Sequence, residues 1–478
     1  MAIPEIVYYI IGLVLCAFFA LWKWNDLKYR RKGLPPGTMG LPFIGETSLF
    51  LNSPDFLKRR KALYGNIFKT HALGSPMIVC MDPQINRYML INESKIGLVL
   101  AHPDSIKNII GVNMAEVNGT VHKRIRGTLL SLIGPAAHRD GLLQKMDRCM
   151  RSFIHNWAGK TIDIQQKAGK LAFMGSLEQI VENEPSSFYE TFEDLFVKMS
   201  LGTMSLPIKI PGTTYYQGLK ARIKLNALLE ELLAKRKASS VTHDDFLDQL
   251  IRNNGYNSSE EIIEQIVTIL YAGYDSVSST AMMTVKYLHD NPRALQAIRE
   301  EHFALQQNKR PEELINWDDY KKMSFTRAVI FETLRLANVV NGLTRRTTSD
   351  LELNGFVIPK GWKIYLYKRE TNLDPFLYQE PLTFNPWRWL EKGSESNCYN
   401  LFYGAGGREC PGKELSISKF SLFLHHFVTK YRYIIVGRSR GKQTSVVPES
   451  NSTKRTTHKG LGVLENNGSK PNDDLNFP

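Results

Sequence analysis

The side chain best suited to metal chemistry lies in a glycine-rich loop from Tyr403 to Gly412, whose sequence is YGAGGRECPG. Glycines let the backbone turn tightly and point amide groups inward, and such N–H groups stabilise a metal-bound thiolate. The segment from Lys413 onwards is predicted to be a helix, and the dipole at its N-terminus favours an anionic sulfur. The loop therefore predicts a thiolate ligand for iron at Cys410. A buried structural cysteine in a glycine-rich turn is the alternative.

A second set of reactive side chains lies at the centre of a long predicted helix, from Ser258 to Asp290. Its length of roughly 33 residues would span about 50 Å, enough to cross a domain. Gly273 costs about 1 kcal/mol of helix propensity, and it is followed closely by Asp275 and Ser276. A glycine beside an acid and a hydroxyl predicts a local bulge that receives a small ligand. A buried helix that tolerates a glycine is equally compatible with these residues alone.

The cysteine loop resembles the haem-binding loop of the cytochrome P-450 superfamily, F-x-x-G-x-R-x-C-x-G, with Tyr403 at the position of the phenylalanine. The resemblance implies haem b as cofactor, Cys410 as the axial ligand of its iron, and a loop that holds the haem through Tyr403 and Gly406. Arg408 is expected to pair with a haem propionate in the bidentate manner that guanidinium groups favour. The fold it implies is mainly α with small β-sheets.

The central helix resembles the oxygen-binding motif of the same family, (A/G)-G-x-(D/E)-T. The resemblance assigns Asp275 and Ser276 to the catalytic relay of protons toward dioxygen. Ser276 replaces the threonine of the motif and lacks its methyl group, so the side-chain rotamer is less restricted. We therefore expect some of the dioxygen consumed to be released as peroxide.

Three further segments resemble positions that surround the haem in this family. The segment VHKRIR, residues 121–126, resembles the W-x-x-x-R propionate clamp, with His122 in place of tryptophan and Arg126 as its arginine. Arg345 matches another propionate-binding position. A Glu-Arg pair three residues apart on a predicted helix can share one face, and with an arginine from the segment FNPWRW it resembles the structural network of the family. The residues of that network are Glu332, Arg335 and Arg388.

An uncharged apolar segment from Ile6 to Trp22 is predicted to anchor the chain in a membrane. Its roughly 17 residues are the low end for a spanning helix. Five basic residues follow it within ten positions, whereas Glu5 precedes it, and this asymmetry places the rest of the chain in the cytosol. A cleaved signal peptide is the alternative, but no basic region precedes the apolar segment. The prediction is a single-pass protein of the endoplasmic reticulum membrane with a cytosolic catalytic domain.

Composition and charge limit the remaining possibilities. The 478 residues are 43% hydrophobic and 23% charged, which is ordinary globular composition. No repeat or flexible linker divides the chain, so one large domain is predicted. The net charge of +14 favours anionic partners, but the basic residues are dispersed and no nucleic-acid motif accompanies them, so we expect no nucleic-acid binding. Five cysteines, few and far apart, argue against a disulfide scaffold.

Hydrophobic periodicity divides the chain into three predicted parts. Residues 1–33 form the membrane anchor and its basic flank, residues 34–436 the catalytic domain, and residues 437–478 a polar tail. Helices are predicted at Ser186–Leu201, Tyr216–Lys237, Ser258–Asp290 and Pro292–Gln307, and strands at Ile67–Leu73, Met77–Met81, Leu351–Ile358 and Lys363–Lys368. The tail is rich in Ser, Thr, Asn, Gly and Lys and cannot bury enough apolar surface to order itself.

The resemblance extends from about Leu34 to Tyr433. Stretches such as LPPGTMGLPFIGE and NGFVIPKGWKIYLY resemble plant brassinosteroid C-6 oxidases, the 6-deoxocastasterone oxidase type. It implies a steroid substrate, dioxygen, and electrons from NADPH through a membrane-bound cytochrome reductase. The substrate is expected to contact residues 100–119, Tyr271 and Ala272 of the central helix, and the segment from Ala337 to Leu343. Members of that family continue beyond Tyr433 with a β-hairpin that no pattern predicts here. The alternatives are therefore a silent haem-binding paralogue that competes for the reductase, and a monooxygenase of another plant sterol or terpenoid.

Overall fold

A computed structural model describes residues 12–13, 19, 23–53, 55–111, 117–155, 157–182, 184–243, 245–252, 258–307, 309–310, 312–391, 400–439 and 443–450. Helices dominate it. In chain order they are α1 (Thr47–Asn52), α2 (Phe56–Tyr64), α3 (Pro83–Asn92), α4 (Asp104–Ile110), α5 (Gly119–Ile133), α6 (Pro135–Ala137), α7 (Leu143–Ile154), α8 (Ile164–Ile180), α9 (Ser186–Thr203), α10 (Thr214–Ala238), α11 (Phe246–Arg252), α12 (Ser259–Asp290), α13 (Pro292–Gln307), α14 (Trp317–Lys322), α15 (Ser324–Ala337), α16 (Arg369–Asn372) and α17 (Lys413–Lys430). Four of these confirm the predicted helices to within two or three residues.

The strands form three small sheets beside the helices. They are β1 (Ile67–Ala72), β2 (Ser75–Cys80), β3 (Leu98–Leu100), β4 (Ile162–Asp163), β5 (Gly342–Thr347), β6 (Leu351–Leu353), β7 (Phe356–Ile358), β8 (Lys363–Tyr367), β9 (Tyr431–Ser439) and β10 (Gln443–Ser450). The largest sheet has the order β1-β2-β8-β5-β3, with β2 and β8 parallel and the other neighbours antiparallel. The predicted mainly α fold with small sheets is confirmed.

The predicted single strand Leu351–Ile358 is instead a hairpin of β6 and β7. Asn354 and Gly355 connect the two strands and both have positive φ, +51° and +79°. Asn-Gly is the pair most favoured for such two-residue turns because both positions need positive φ. This sequence signal was present and was overlooked.

Helix α12 crosses the main hydrophobic core. The Ser258 hydroxyl caps its start by accepting a hydrogen bond from the Glu261 amide at 3.2 Å. Buried apolar residues line both halves of the helix, including Ile266 and Val285. The helix packs along α8 and also contacts α15 and α17. It therefore forms the scaffold onto which the helices that flank the cysteine loop are fixed.

The C-terminal hairpin corrects the predicted domain boundary. Strands β9 and β10 pair antiparallel from Tyr431 with Ser450 to Ser439 with Gln443, and β10 also pairs with β4. Val446 is fully buried. The prediction of a tail without regular structure from residue 437 is therefore wrong for residues 437–439 and 443–450. Composition was misleading because a hairpin paired to β4 needs few apolar side chains, and residues 451–478 lie outside the described part.

The predicted anchor at Ile6–Trp22 lies almost entirely outside the described residues. Within the part of the chain that the structure describes, no helix has both the length and the apolar character needed to cross a membrane.

Two buried histidines join α13 to α17. The Nδ1 atoms of His302 and His425 lie 3.1 Å apart, and the Nε2 atom of His302 lies 3.0 Å from the Thr326 hydroxyl. Burial is the main cause that lowers the pKa of His425 to about 3 and the pKa of His302 well below its ordinary value; the neighbouring histidines lower both further. Both imidazoles are therefore neutral in the folded protein near neutral pH.

We expect the folded protein to lose stability as the pH falls below about 6.5, the ordinary histidine pKa. The unfolded chain then binds protons that the folded chain cannot, so this contribution is complete above pH 6.5 and declines toward the lower folded pKa values. Thermal unfolding midpoints at pH 7.5 and pH 5 measure the effect. A His425→Asn variant should show a smaller difference between the two pH values. An unchanged difference would contradict the assignment to this pair.

Candidate active site

The cysteine loop presents a free thiol. The Cys410 amide donates a hydrogen bond to the Tyr403 carbonyl at 2.8 Å, which closes the loop. The Cys410 side chain is exposed and has no disulfide partner. Burial of the loop raises the pKa of this thiol, while a hydrogen bond from the Gly412 amide and the charge of Arg126 act in the opposite direction. The amide and the guanidinium are the groups that would stabilise the sulfur as a thiolate.

Gly406 allows helix α3 to dock on the cysteine loop. Its φ is +72°, and a Cβ atom at this position would lie 2.5 Å from the Leu90 carbonyl oxygen and 2.9 Å from the Ile91 Cα atom. Both neighbours are backbone atoms that cannot move aside. Glycine is therefore required here both for its conformation and for the close approach of α3.

The Tyr403 hydroxyl points toward helix α17. It forms a hydrogen bond with the Ser416 hydroxyl at 2.9 Å. Burial is the main cause that raises the pKa of Tyr403 above its ordinary value, so the phenol stays neutral. The ring thus keeps the place of the phenylalanine in the family motif, and Ser416 satisfies the additional hydroxyl.

Helix α5 brings two further site residues to the loop. Arg126 Nη1 donates to the Glu409 carbonyl oxygen at 2.6 Å. Arg408 Nη2 reaches back to the segment before α5, to the Val117 carbonyl at 2.6 Å and the Asn118 Oδ1 atom at 2.7 Å. His122 is buried. Burial is the main cause that lowers the pKa of His122 to about 4, and the positive charges of Arg408 and Arg126 lower it further. These residues and Cys410 form one cluster with a neutral imidazole among cationic groups.

Arg345 joins this cluster through a residue that sequence reasoning missed. Its Nε atom lies 2.7 Å from Glu93 Oε2, and the Nε atom of Arg408 lies 2.9 Å from Glu93 Oε1. Glu93 follows α3, 252 residues before Arg345 in the chain. Because no local pattern relates positions so far apart, a single sequence contains no signal for this contact.

Asp275 and Ser276 lie on α12, which remains a continuous α-helix through Gly273. The predicted bulge is therefore wrong. The Ser276 hydroxyl donates to the Ala272 carbonyl at 2.9 Å, so it uses the helix backbone as its partner. Ala272 and Asp275 are exposed although Leu270 and Ser278 on the same helix are buried. This short face of α12 consequently borders accessible space in the middle of a helix that is otherwise packed.

The donor set fits a haem. An accessible, unpaired cysteine can bind the iron, and three clustered guanidinium groups (Arg126, Arg345 and Arg408) can bind carboxylates. Thiolate ligation of haem iron supports dioxygen activation. A mainly helical domain with this loop defines the class of haem-thiolate proteins.

The sequence profile of the Cytochrome P450 family matches residues 35–446, and the chain belongs to this family. Haem iron is therefore its cofactor. Among solved structures, retinoic acid bound cyanobacterial CYP120A1 is similar with a TM-score of 0.78 and 26% sequence identity, over 87% of this chain and 99% of that chain.

Curated relatives are similar over most of the chain. Cytochrome P450 85A of Phaseolus vulgaris is 53% identical over 433 residues, which cover 90% of this chain and 93% of that protein. Cytochrome P450 85A2 of Arabidopsis thaliana is 51% identical over 91% of this chain and 94% of that protein. The 3beta,22alpha-dihydroxysteroid 3-dehydrogenase of Arabidopsis thaliana is 35% identical over 85% of this chain and 89% of that protein.

Replacing Ser276 by threonine is expected to reduce the peroxide released per dioxygen consumed. The added methyl group restricts the side-chain rotamer and so keeps the hydroxyl in fewer positions relative to dioxygen. Peroxide formation and dioxygen consumption are measured together during turnover. Ser278→Thr, two positions further along α12 at a buried site, is the control and should leave the ratio unchanged. Equal ratios in the wild-type protein and Ser276→Thr would refute the proposed role of this hydroxyl.

Proposed function

We propose that the chain is a monooxygenase that oxidises C-6 of a brassinosteroid precursor. The observation that carries the proposal is about 50% identity to cytochrome P450 85A proteins over some nine-tenths of the chain. The 3beta,22alpha-dihydroxysteroid 3-dehydrogenase, 35% identical, has a steroid in its name. Together with the resemblance of the sequence to brassinosteroid C-6 oxidases, these relatives support a steroid as the substrate class.

The proposed reaction introduces oxygen twice at one carbon. Two hydroxylations at C-6 give a geminal diol, which loses water to form a ketone. The haem supplies the activation of dioxygen when it is bound. Cys410 is proposed to hold the iron, while Arg126, Arg345, Arg408 and His122 hold the haem periphery.

Asp275 and Ser276 are proposed to move protons toward the reacting oxygen. The position of both residues on the accessible face of α12 supports this role, since Asp275 is exposed and a carboxylate that reaches solvent can be protonated again after each turnover. Ser276 lies one residue further along the same helix. Its hydroxyl can rotate away from the Ala272 carbonyl and donate elsewhere at the cost of one modest hydrogen bond.

The substrate is proposed to lie between α12 and the segment that joins α15 to β5. Ala272 is exposed on α12, and Val340 in that segment is 45% exposed. The Tyr271 hydroxyl forms a hydrogen bond with Thr203 Oγ1 at 2.9 Å, which ties α12 to α9. The apolar side chains of Ala272 and Val340 suit a steroid body. Residues 112–116, part of the predicted contact region at residues 100–119, lie outside the described residues.

Electrons are proposed to come from NADPH through a membrane-bound cytochrome reductase, and the chain is proposed to reside in the endoplasmic reticulum membrane. The uncharged segment Ile6–Trp22 and the basic residues after it support this placement. The end of α9 and its connection to α10 add support, because they expose a run of large apolar side chains, between 46% and 70% exposed. These are Leu201, Met204, Leu206, Ile208 and Ile210.

The decisive experiment is turnover of a 6-deoxo brassinosteroid by the purified full chain with NADPH and a plant cytochrome reductase. The expected product is the C-6 ketone, preceded by the C-6 alcohol, and mass spectrometry identifies both. A normal carbon monoxide spectrum without turnover would overturn the proposed substrate. Substrate-induced spectral shifts with other sterols and terpenoids would then identify the compounds that enter the site.

The C-terminal hairpin bears on the silent-paralogue alternative. That alternative depended on the expectation that the chain lacks a hairpin beyond Tyr433, and β9 and β10 form one. The structural argument for a catalytically silent protein is thereby removed.

A further inference from the structure

Glu93 binds two arginines that belong to distant parts of the chain. One carboxylate oxygen accepts from Arg345 Nε at 2.7 Å and the other from Arg408 Nε at 2.9 Å. All three side chains are at most 10% exposed. Arg345 lies on β5, whereas Arg408 lies two residues before Cys410. A single carboxylate thus connects the largest sheet to the cysteine loop.

The backbone around Glu93 is fixed on both sides. Before it, α3 docks against Gly406 through the Leu90 and Ile91 backbone. After it, the Glu93 carbonyl accepts a hydrogen bond from the Leu98 amide at 2.7 Å, at the start of β3. A carboxylate held this rigidly orients the planar guanidinium groups that bind it, because their donors have a fixed geometry.

Glu93 engages the Nε atom of each arginine rather than the pair of terminal nitrogens. The terminal nitrogens are thereby directed to other acceptors, as with Arg408 Nη2 and the Val117 carbonyl. The carboxylate also offsets the repulsion between two buried guanidinium groups, which is strong where water is excluded. Without this charge the two arginines would not be held side by side.

We propose that Glu93 is a positioning residue that orients Arg345 and Arg408 toward the haem propionates. The charges agree with this role. Arg126, Arg345 and Arg408 contribute three positive charges and Glu93 one negative charge, so these four side chains together have a net charge of +2, equal and opposite to the charge of two propionates. The inference rests on the proposed propionate-binding role of the arginines, and the experiment separates the two.

The test compares Glu93→Gln with Glu46→Gln in the full-length, haem-loaded protein. Glu46 is an equally buried carboxylate, 6% exposed like Glu93, and it pairs with Arg60 away from the cysteine loop. Two measurements are made: the rate of haem transfer to apomyoglobin and the propionate bending bands of the resonance Raman spectrum. In Glu93→Gln we expect transfer to be about tenfold to a hundredfold faster, with displaced bending bands. Glu46→Gln should match the wild-type protein in both, even where its thermal midpoint falls.

An Arg345→Gln variant distinguishes the possible failures. In one outcome, Glu93→Gln keeps the wild-type rate of haem transfer and the wild-type bending bands, while Arg345→Gln transfers haem faster. This outcome would overturn the positioning role of Glu93 and leave the propionate-binding role of Arg345 intact. Wild-type behaviour in both variants would overturn both assignments. Equal acceleration in Glu93→Gln and Glu46→Gln would also overturn the proposal, because it would indicate general destabilisation. If the Glu93→Gln protein does not accumulate, Glu93→Asp replaces it in the test. The aspartate keeps the negative charge but is too short to reach the Nε atoms of both arginines. A wild-type rate of haem transfer in Glu93→Asp would likewise overturn the positioning role of Glu93.

Discussion

Replacing Cys410 by serine is expected to abolish the strongly red-shifted Soret band of the reduced, carbon monoxide-bound protein and to lower steroid turnover to background. Serine has nearly the same size but provides a neutral hydroxyl instead of a thiolate. A thiolate at this position would supply the iron with electron density that dioxygen activation needs, so its loss should remove the chemistry rather than substrate binding. The spectrum and the turnover rate measure the two consequences separately.

The matched control for this variant is Cys149→Ser. Cys149 is another free cysteine among the described residues, on α7. Burial is the main cause that raises the pKa of the Cys149 thiol above its ordinary value, which keeps it neutral. We expect Cys149→Ser to retain both the red-shifted band and turnover. A red-shifted band that persists in Cys410→Ser would show that another residue binds the iron.

Features of the site that depend on neighbouring residues could be predicted from the sequence. The cysteine loop is one, because the glycine and proline positions that shape it lie within ten residues of Cys410. The start of α12 is another, since the capping serine directly precedes the helix. The turn at Asn354 and Gly355 belongs to this class as well, although the pair was overlooked.

Features that depend on tertiary contacts could not be predicted. Glu93 lies in a segment without a distinctive motif, and its importance arises from partners that the fold brings from β5 and the cysteine loop. The C-terminal hairpin was missed because pairing with β4 compensates for its polar composition. The bulge expected at Gly273 was wrong because a single glycine costs only about 1 kcal/mol of helix propensity, which the packing of a 32-residue helix exceeds easily.

The buried network around Glu332 joins α15 to the segment that contains Arg388 and Trp389. Glu332 is fully buried and accepts from Arg335 Nε and Nη2 at 2.9 and 2.7 Å and from Arg388 Nε at 3.2 Å. The Trp389 indole N–H at 2.8 Å and the Asn385 amide at 2.9 Å complete its partners. This confirms the predicted network of Glu332, Arg335 and Arg388. The pair of residues on one helix face, together with the resemblance of the segment FNPWRW, thus predicted a contact across more than fifty residues.

Replacing Glu332 by glutamine is expected to destabilise the folded protein by about 3–5 kcal/mol, the cost of leaving a buried charge without its partner. Arg335 is fully buried, and the glutamine would place an amide N–H₂ group against donors while removing the charge that balances the guanidinium. Since a whole domain is stable by only about 5–15 kcal/mol, much of the variant should fail to fold and to retain haem. Chemical unfolding of the soluble fraction and the haem-to-protein ratio measure the two effects.

Glu261→Gln is the control for the loss of an acid that pairs with arginine. The Glu261 carboxylate binds Arg124 at 2.7 and 3.3 Å, but both side chains are more than 20% exposed. Partly solvated ion pairs contribute at most about 1 kcal/mol, so this variant should unfold nearly as the wild-type protein does. The contrast isolates burial as the cause, because the two pairs have the same chemistry and similar distances. A Glu332→Gln protein as stable as Glu261→Gln would mean that water or a rearranged Arg335 replaces the lost carboxylate. The network would then not be what fixes α15 to the segment around Arg388.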